Sequence, residues 1–252
     1  MEEARKVFEA ELTARRVAFT WQESDDRYLV HTSEGDRSVG LDNIARVYAQ
    51  EREPDVIVGF VDQVLSCFEL PPWPEARPLV YFAAESSEYA FGDTLRQPVT
   101  DEVARVLVLT DREERNITWL THRDLAAWGV TQAEAESAAG ENLARLLAGL
   151  RLKVELIDGM RLAMVPLDSV FKASVIFSPN FKAFITQELD WPVLAVIPCR
   201  DFIYAISERD RALLQRMGGV VQREFRESGY PVTTEVLRIS DAGIEAIGAF
   251  PK

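Results

Sequence analysis

Apolar residues recur every four positions through Leu213, Met217, Val221 and Phe225, with Leu214 and Val220 beside them. That spacing predicts a helix with one buried face. Two short apolar runs precede it. Residues 193–197 and 202–206 read as strands buried on both faces, and Pro198, Cys199, Arg200 and Asp201 turn between them. Ser207, with Asp210 three residues on, has the residue types of a helix N-cap, and Gly229 before Pro231 reads as a left-handed stop. A buried hairpin covered by an amphipathic helix is the best-marked unit of the chain.

The rest of the chain alternates in a similar way. Residues 2–16 predict a helix carrying Val7, Phe8 and Leu12 on one side. Strands follow at 18–22, 28–32 and 37–41, turned by Ser24-Asp25-Asp26 and Ser33-Glu34-Gly35-Asp36. Asp42 opens a helix bearing Ile44, Val47 and Tyr48. Pro54 restarts it, and Ile57, Val58, Val61, Val64, Leu65 and Phe68 give an apolar face. Pro71, Pro72, Trp73, Pro74 and Pro78 predict a stiff extended link. Next come a strand over 79–83, a polar loop over 85–98 and a hairpin of 103–110 with 117–120. Thr131 and Glu134 have capping-box spacing, and the helix they begin presents Ala135, Ala138, Ala139, Leu143, Leu146 and Leu150 on one side. Asp158-Gly159 marks a tight hairpin between 151–157 and 161–165. A strand over 173–177, a helix over 179–189 and a hairpin of 232–239 with 243–250 complete the reading.

Taken as an order of elements, residues 2–148 give helix, strands, helix, strands, helix. Residues 131–228 repeat that order, sharing the helix at 131–148 and without any repeat of the residues themselves. The expected fold is therefore α+β, with antiparallel sheets flanked by helices in two similar halves. The halves fall at 1–130 and 131–252.

At 252 residues the chain has room for one large domain or two small ones, and 47% hydrophobic residues support a packed core. Against 28 basic residues stand 41 acidic ones, for a net charge of −13. A polyanion would be repelled unless basic residues were segregated. The longest basic clusters are pairs such as Arg15 and Arg16, so no nucleic-acid partner is expected. Cys67 and Cys199 are too few for a disulfide framework and read as reduced thiols. Neither an N-terminal apolar leader nor a run of about 18 apolar residues occurs. The expectation is a cytoplasmic protein with no membrane partner.

Little in the sequence assembles chemistry. His31 and His122 lie apart and away from metal-ligand spacing, so neither a metal nor a cofactor is expected. Met217-Gly218-Gly219 lies inside a helical pattern, where it permits close packing or a kink and cradles no phosphate. The carboxylates of Asp101 and Glu102, and of Asp111, Glu113 and Glu114, fall in turns and read as solvated charges. Asn142 sits on an apolar helix face. It is expected to hydrogen-bond a backbone group or another buried polar side chain. Cys199 is the one thiol that ends a buried strand, with Arg200 and Asp201 next to it. A guanidinium there would favour a thiolate, which makes Cys199, Arg200 and Asp201 the weak candidates for a catalytic turn. Trp73, Tyr81, Tyr89 and Phe91, with Phe82, lie in or near the proline-rich link, where exposed aromatics would suit a binding surface.

Four stretches resemble a bacterial family of unknown function, the YtpQ-like family. They are Thr118-Trp-Leu-Thr-His-Arg-Asp-Leu125 with Trp128, then Glu141-Asn142-Leu143, then 191–204 with its Pro-x-Arg-Asp turn, and Gly229-Tyr230-Pro231-Val232. The chain departs from that family at Ala83-Ala84, where members tend to carry an arginine. The element order also resembles the type III secretion chaperone-like fold: helix, three strands, helix, two strands, helix. That resemblance implies a clamp for protein or peptide. The leading expectation is thus a non-enzymatic, chaperone-like binding module with a protein or peptide partner. The alternative is a small-molecule enzyme using the Pro198–Asp201 turn with Cys199 as nucleophile.

Overall fold

The computed structural model describes residues 1–23, 26–32, 35–65, 70–89, 92–114 and 116–252. Ser24, Asp25, Ser33 and Glu34 of the first two turns, Cys67, Phe68 and Phe91 lie outside them. The elements form two compact units. One is Met1–Glu69 with Glu227–Tyr230, the other Leu70–Arg226 with Pro231–Lys252.

The smaller unit is a three-stranded antiparallel meander backed by helices. Helix α1 is Glu2–Ala14, and strands β1 (Ala18–Gln22), β2 (Arg27–Thr32) and β3 (Gly35–Val39) pair in that order. Helices α2 (Asp42–Glu51) and α3 (Pro54–Leu65) follow directly. The core joins Phe8 and Leu12 of α1, Tyr28 and Val30 of β2, and Ile57 and Val61 of α3. Burying each such side chain contributes about 1.5–3 kcal/mol. Tyr28 keeps its hydroxyl satisfied by donating to Glu9. Gly229 belongs to this unit. Its φ is not in the left-handed region, against the expectation of a left-handed stop. It is needed for closeness instead: a Cβ there would lie 2.5 Å from Cγ2 of Val47.

The larger unit holds two antiparallel sheets. In the first, β4 (Val80–Ser86) pairs with β6 (Val103–Thr110), which also pairs with β5 (Arg96–Pro98) and β7 (Ile117–Trp119). Helix α6 (Gln132–Leu147) lies on β4 and buries Ala135, Ala139 and Leu143 in a core with Val80, Val106 and Leu109. Its capping box forms as expected: Glu134 N–H donates to Thr131 Oγ1, and Thr131 N–H donates to Glu134. Asn142, 1% exposed, donates from Nδ2 to the carbonyls of Arg77 (2.8 Å) and Val80 (2.6 Å), which fixes α6 against β4.

The second sheet has six strands in the order β13-β12-β10-β11-β9-β8. These are β8 (Lys153–Ile157), β9 (Met160–Met164), β10 (Val193–Val196), β11 (Tyr204–Ser207), β12 (Glu235–Ser240) and β13 (Gly243–Ala249). Asp158 and Gly159, with φ of 51° and 79°, make the two-residue turn between β8 and β9. On one face α8 (Leu214–Glu227) packs Met217 and Val221 against Leu194, Val196 and Ile206. Gly218 permits this approach, since a Cβ there would lie 3.1 Å from Phe250. The other face packs on Val175 and on Phe181, Phe184 and Ile185 of the short helix α7 (Phe181–Ile185).

The α+β class and its antiparallel sheets are as expected, with several local corrections. Residues 173–177 form a 3-10 turn, Ala173–Phe177, with its first four residues buried, where a strand was expected. Ala84 N–H donates to Ser174 Oγ at 2.9 Å, so the turn is tied to β4. The proline-rich link is no extended rod: prolines set the first positions of a short helix, α4 (Trp73–Ala76), and of a 3-10 turn, Arg77–Leu79. The polar 85–98 stretch is shorter than a loop reading allows, because β4 runs to Ser86 and β5 begins at Arg96. Ser207 does not cap a helix. Its Oγ accepts from Asp190 N–H at 2.9 Å, and a 3-10 turn, Glu208–Leu213, precedes α8.

The two runs of like element order do not build like halves. Residues before 130 supply a three-stranded and a four-stranded sheet, and those after it a single six-stranded one. The expected boundary at 130/131 falls inside the larger unit, where α6 shares a core with β4 and β6. The chaperone-like order persists in the smaller unit only as helix, three strands, helix. A further helix, α3, follows where two strands were expected.

Candidate binding surface

The Pro198–Asp201 turn is locked into the larger unit. Val232 N–H donates to Pro198 O and Ala173 N–H to Arg200 O, both at 2.8 Å. The Arg200 guanidinium clamps Glu85 of β4, with Nη2–Oε1 2.6 Å and Nε–Oε2 3.3 Å. Glu85 is 0% exposed and also accepts from Trp119 Nε1 at 3.3 Å. The ion pair therefore ties the turn to the four-stranded sheet. Cys199 is buried, and its Sγ donates to Asp201 Oδ1 at 3.1 Å. Burial denies a substrate access to the thiol. The three candidate residues stand together, but as a structural clasp.

The aromatic candidates are half-buried and engage separate partners. Trp73 packs on Trp128 at 5.2 Å between ring centroids, and Trp128 Nε1 donates to Pro71 O. Tyr81 stacks on Phe171 at 4.4 Å and 12°. Burial pushes its phenol pKa up, with the Glu114 carboxylate adding to that and Arg145 opposing it. Tyr89 tilts against Trp119 at 6.1 Å and donates to Pro231 O. Phe82 is buried. These rings form no continuous exposed row among the described residues.

Two carboxylates that meet across the sheets were not singled out as a pair by sequence. Glu235 of β12 accepts from Thr100 Oγ1, and Glu102 accepts from Thr233 Oγ1 at 2.8 Å and faces Lys252 at 3.2 Å. Burial raises the Glu235 pKa, Thr100 works against that, and the Glu102 and Asp101 charges add to it. Partial burial also pushes Glu102 up, but hydrogen bonds from Thr233 and Lys252 outweigh it and hold the pKa below the ordinary value. Neither carboxylate lines the groove beside Trp191 and Pro192 or the groove beside Ile247 and Phe250. His31 of β2 faces Asp36 at 2.7 Å and His122 opens α5 (His122–Trp128). Among the described residues no group of three His, Cys, Asp or Glu could hold a metal ion.

The open feature of the larger unit is the edge of its six-stranded sheet. Strand β13 pairs only with β12 among the described residues, and five of its seven residues are exposed. Its sequence, Gly-Ile-Glu-Ala-Ile-Gly-Ala, carries a single charge and neither lysine nor proline, the residues that usually guard an edge. That charge, Glu245, is committed to Arg238, which Glu208 also holds. The opposite edge, β8, places Lys153 and Glu155 outward. A bulge at Val236/Leu237 makes Ile247 the extra residue of β13, and it lies toward the α8 face. There Leu214, Gln215 and Arg211 from the start of α8 and the turn before it, with Val236, Ile247, Gly248, Ala249 and Phe250, line a groove of about 220 Å³. A second groove, of about 310 Å³ beside Trp191 and Pro192, borders no open strand, and its Arg209 and Asp190 pair with each other at 2.5 Å.

Sequence reasoning found the β13 hairpin but not that β13 ends the strand order. The only local signal was a strand of small residues with one charge. Chemically, the surface offers a row of outward N–H and C=O groups beside an apolar slot, which is what an extended polypeptide needs. Compared with known family models, curated proteins and solved structures, the chain has no match. No helix among the described residues is long and apolar enough to cross a membrane.

Proposed function

We propose that this protein is a non-enzymatic protein- or peptide-binding module of the cytoplasm that takes an extended segment of its partner as a strand added to β13. The observation that carries the reading is the open, nearly uncharged seven-residue edge lying beside an apolar groove. Main-chain hydrogen bonds along the edge would supply affinity, and the groove would select alternate side chains. Kinship with the YtpQ-like family, which implies no activity, is part of the same proposal, and the idea of a clamp for polypeptide comes from the resemblance of the element order to the type III secretion chaperone-like fold. A net charge of −13 weighs against a polyanionic partner. The enzymatic alternative has no support from Cys199, whose thiol is buried on a carboxylate.

The test is a set of extended peptides with alternating apolar residues, titrated into the isotope-labelled protein. The expected result is shifted and exchange-protected amides along Gly243–Ala249, with binding lost in Gly248→Leu. Gly248 lines the groove, and nothing lies within 4 Å of a Cβ built on it, so the added side chain starts in open space; an unchanged urea midpoint of the variant is the control for its fold. Peptides that bind elsewhere, or an entire set that does not bind, would overturn the proposal.

A further inference from the structure

Arg211 is the unsettled charge of the groove. It is exposed at the groove mouth and forms no ion pair among the described residues. Its neighbours differ: Arg209 pairs with Asp190, Arg216 with Asp158, and Arg238 with Glu208 and Glu245. Asp190, Asp158, Glu208 and Glu245 are thus each engaged by another arginine. Arg211 lies in the 3-10 turn three residues before Leu214, and at about 2 Å of rise per residue the two positions are roughly 6 Å apart along the axis. Along an extended strand, side chains on one face repeat at about 6.6–6.8 Å, every second residue. The two spacings match to within the reach of an arginine.

Resting on the reading above, we infer that the strand added to β13 carries an apolar residue and, two positions away on the same face, a carboxylate that meets Arg211. The apolar side chain enters between Leu214, Ile247 and Phe250, and the acidic one receives the guanidinium at the rim. A guanidinium binds a planar carboxylate by two parallel N–H···O bonds, which is geometric selection as well as attraction. The chain as a whole is acidic and repels a strongly acidic partner at long range. The partner segment is therefore one with a single acid beside its apolar anchor and neutral or basic residues elsewhere.

The experiment uses the full chain and three peptides that differ at one position, Leu-x-Asp, Leu-x-Asn and Leu-x-Lys, each also made in the reversed order. All are brought to zero net charge by residues outside the pairing segment. Affinities are measured by titration, and the binding site is read from the β13 amides. The expected result is a preference for Asp over Lys of about fivefold in one of the two orders, with Asn between and the difference shrinking with added salt. Arg211→Gln should level the three peptides, and Arg211→Glu should invert their order. If all three bind β13 equally, the carboxylate inference fails and the strand-addition reading stands. If none reaches β13, both fail. If β13 instead pairs with a second copy of the chain and peptide cannot displace it, the inference of a peptide occupant is overturned.

Discussion

The turn at 198–201 and the strand β13 belong to the same unit and dispose of their polar groups in opposite ways. The turn carries a thiol, a guanidinium and a carboxylate, and the guanidinium of Arg200 is spent on Glu85 while the thiol is turned onto Asp201. The strand carries almost no side-chain chemistry, yet its outer edge keeps a row of backbone donors and acceptors with no strand opposite among the described residues. Conspicuous residue types mark where a fold must satisfy itself. Capacity for a partner remains where satisfaction stops.

The sharpest way to break this comparison is to treat the clasp as dispensable. Glu85→Ala would leave the Arg200 guanidinium, 12% exposed, without its counter-ion. Loss of one partner of a buried ion pair costs about 3–5 kcal/mol. Urea denaturation should show that loss in the larger unit, and an unchanged midpoint would show that the turn is not held by the pair. Asn142→Ala comes next. Its amide serves two carbonyls at once, so their loss should cost about 1–3 kcal/mol in the same measurement.

Those two sites also separate what a sequence discloses from what it conceals. Asn142 was legible because its helical phase put an amide among alanines and leucines, and an amide so placed must find a partner. Thr131 with Glu134, and Asp158 with Gly159, were legible for the same reason, since their chemistry is completed within four residues. The partner of Arg200 was not, because Glu85 lies 115 residues away and nothing local announces it. Residues 173–177 differ from the expected strand because a short, mostly apolar run is equally compatible with a strand and with a largely buried turn. The open edge was the least legible of all. The hairpin of β12 and β13 follows from periodicity, but the last place in the strand order is a property of topology.

The carboxylates Glu235 and Glu102 give the third test, smaller in effect and with a sign that must be worked out. Burial, with the Glu102 and Asp101 charges, raises the folded pKa of Glu235 above its unfolded value. The folded state then binds more protons, so what this group contributes to stability is present at low pH and falls away as pH rises through the ordinary carboxylate range to the folded pKa. Glu102 runs the other way: its lowered folded pKa gives stability above the ordinary value that is lost as pH falls through the folded one. Glu235→Gln keeps an acceptor for Thr100 and removes the charge. Its urea midpoint should exceed that of the parent near pH 7 and converge with it below about pH 4. A midpoint lowered at neutral pH would mean that the carboxylate is stabilised as an anion.

The smallest expected effect has the opposite sign from the first two and belongs to the open region. Gly248 has no positive φ, and a Cβ built on it meets nothing within 4 Å. Alanine can therefore be added without strain, and it restricts the unfolded chain more than glycine does. Gly248→Ala should be stabilising by about 0.4–1 kcal/mol. Gly229 provides the control, because its Cβ would run into Val47, a β-branched side chain with little freedom to move aside, and Gly229→Ala should destabilise the smaller unit. The methyl at Gly248 also stands in the groove lined by Leu214, Ile247 and Phe250. A variant that unfolds at higher urea and binds the Leu-x-Asp peptide more weakly would show that the groove is kept open at the expense of stability. Tighter or unchanged binding in that variant would show that the peptide's apolar residue goes elsewhere.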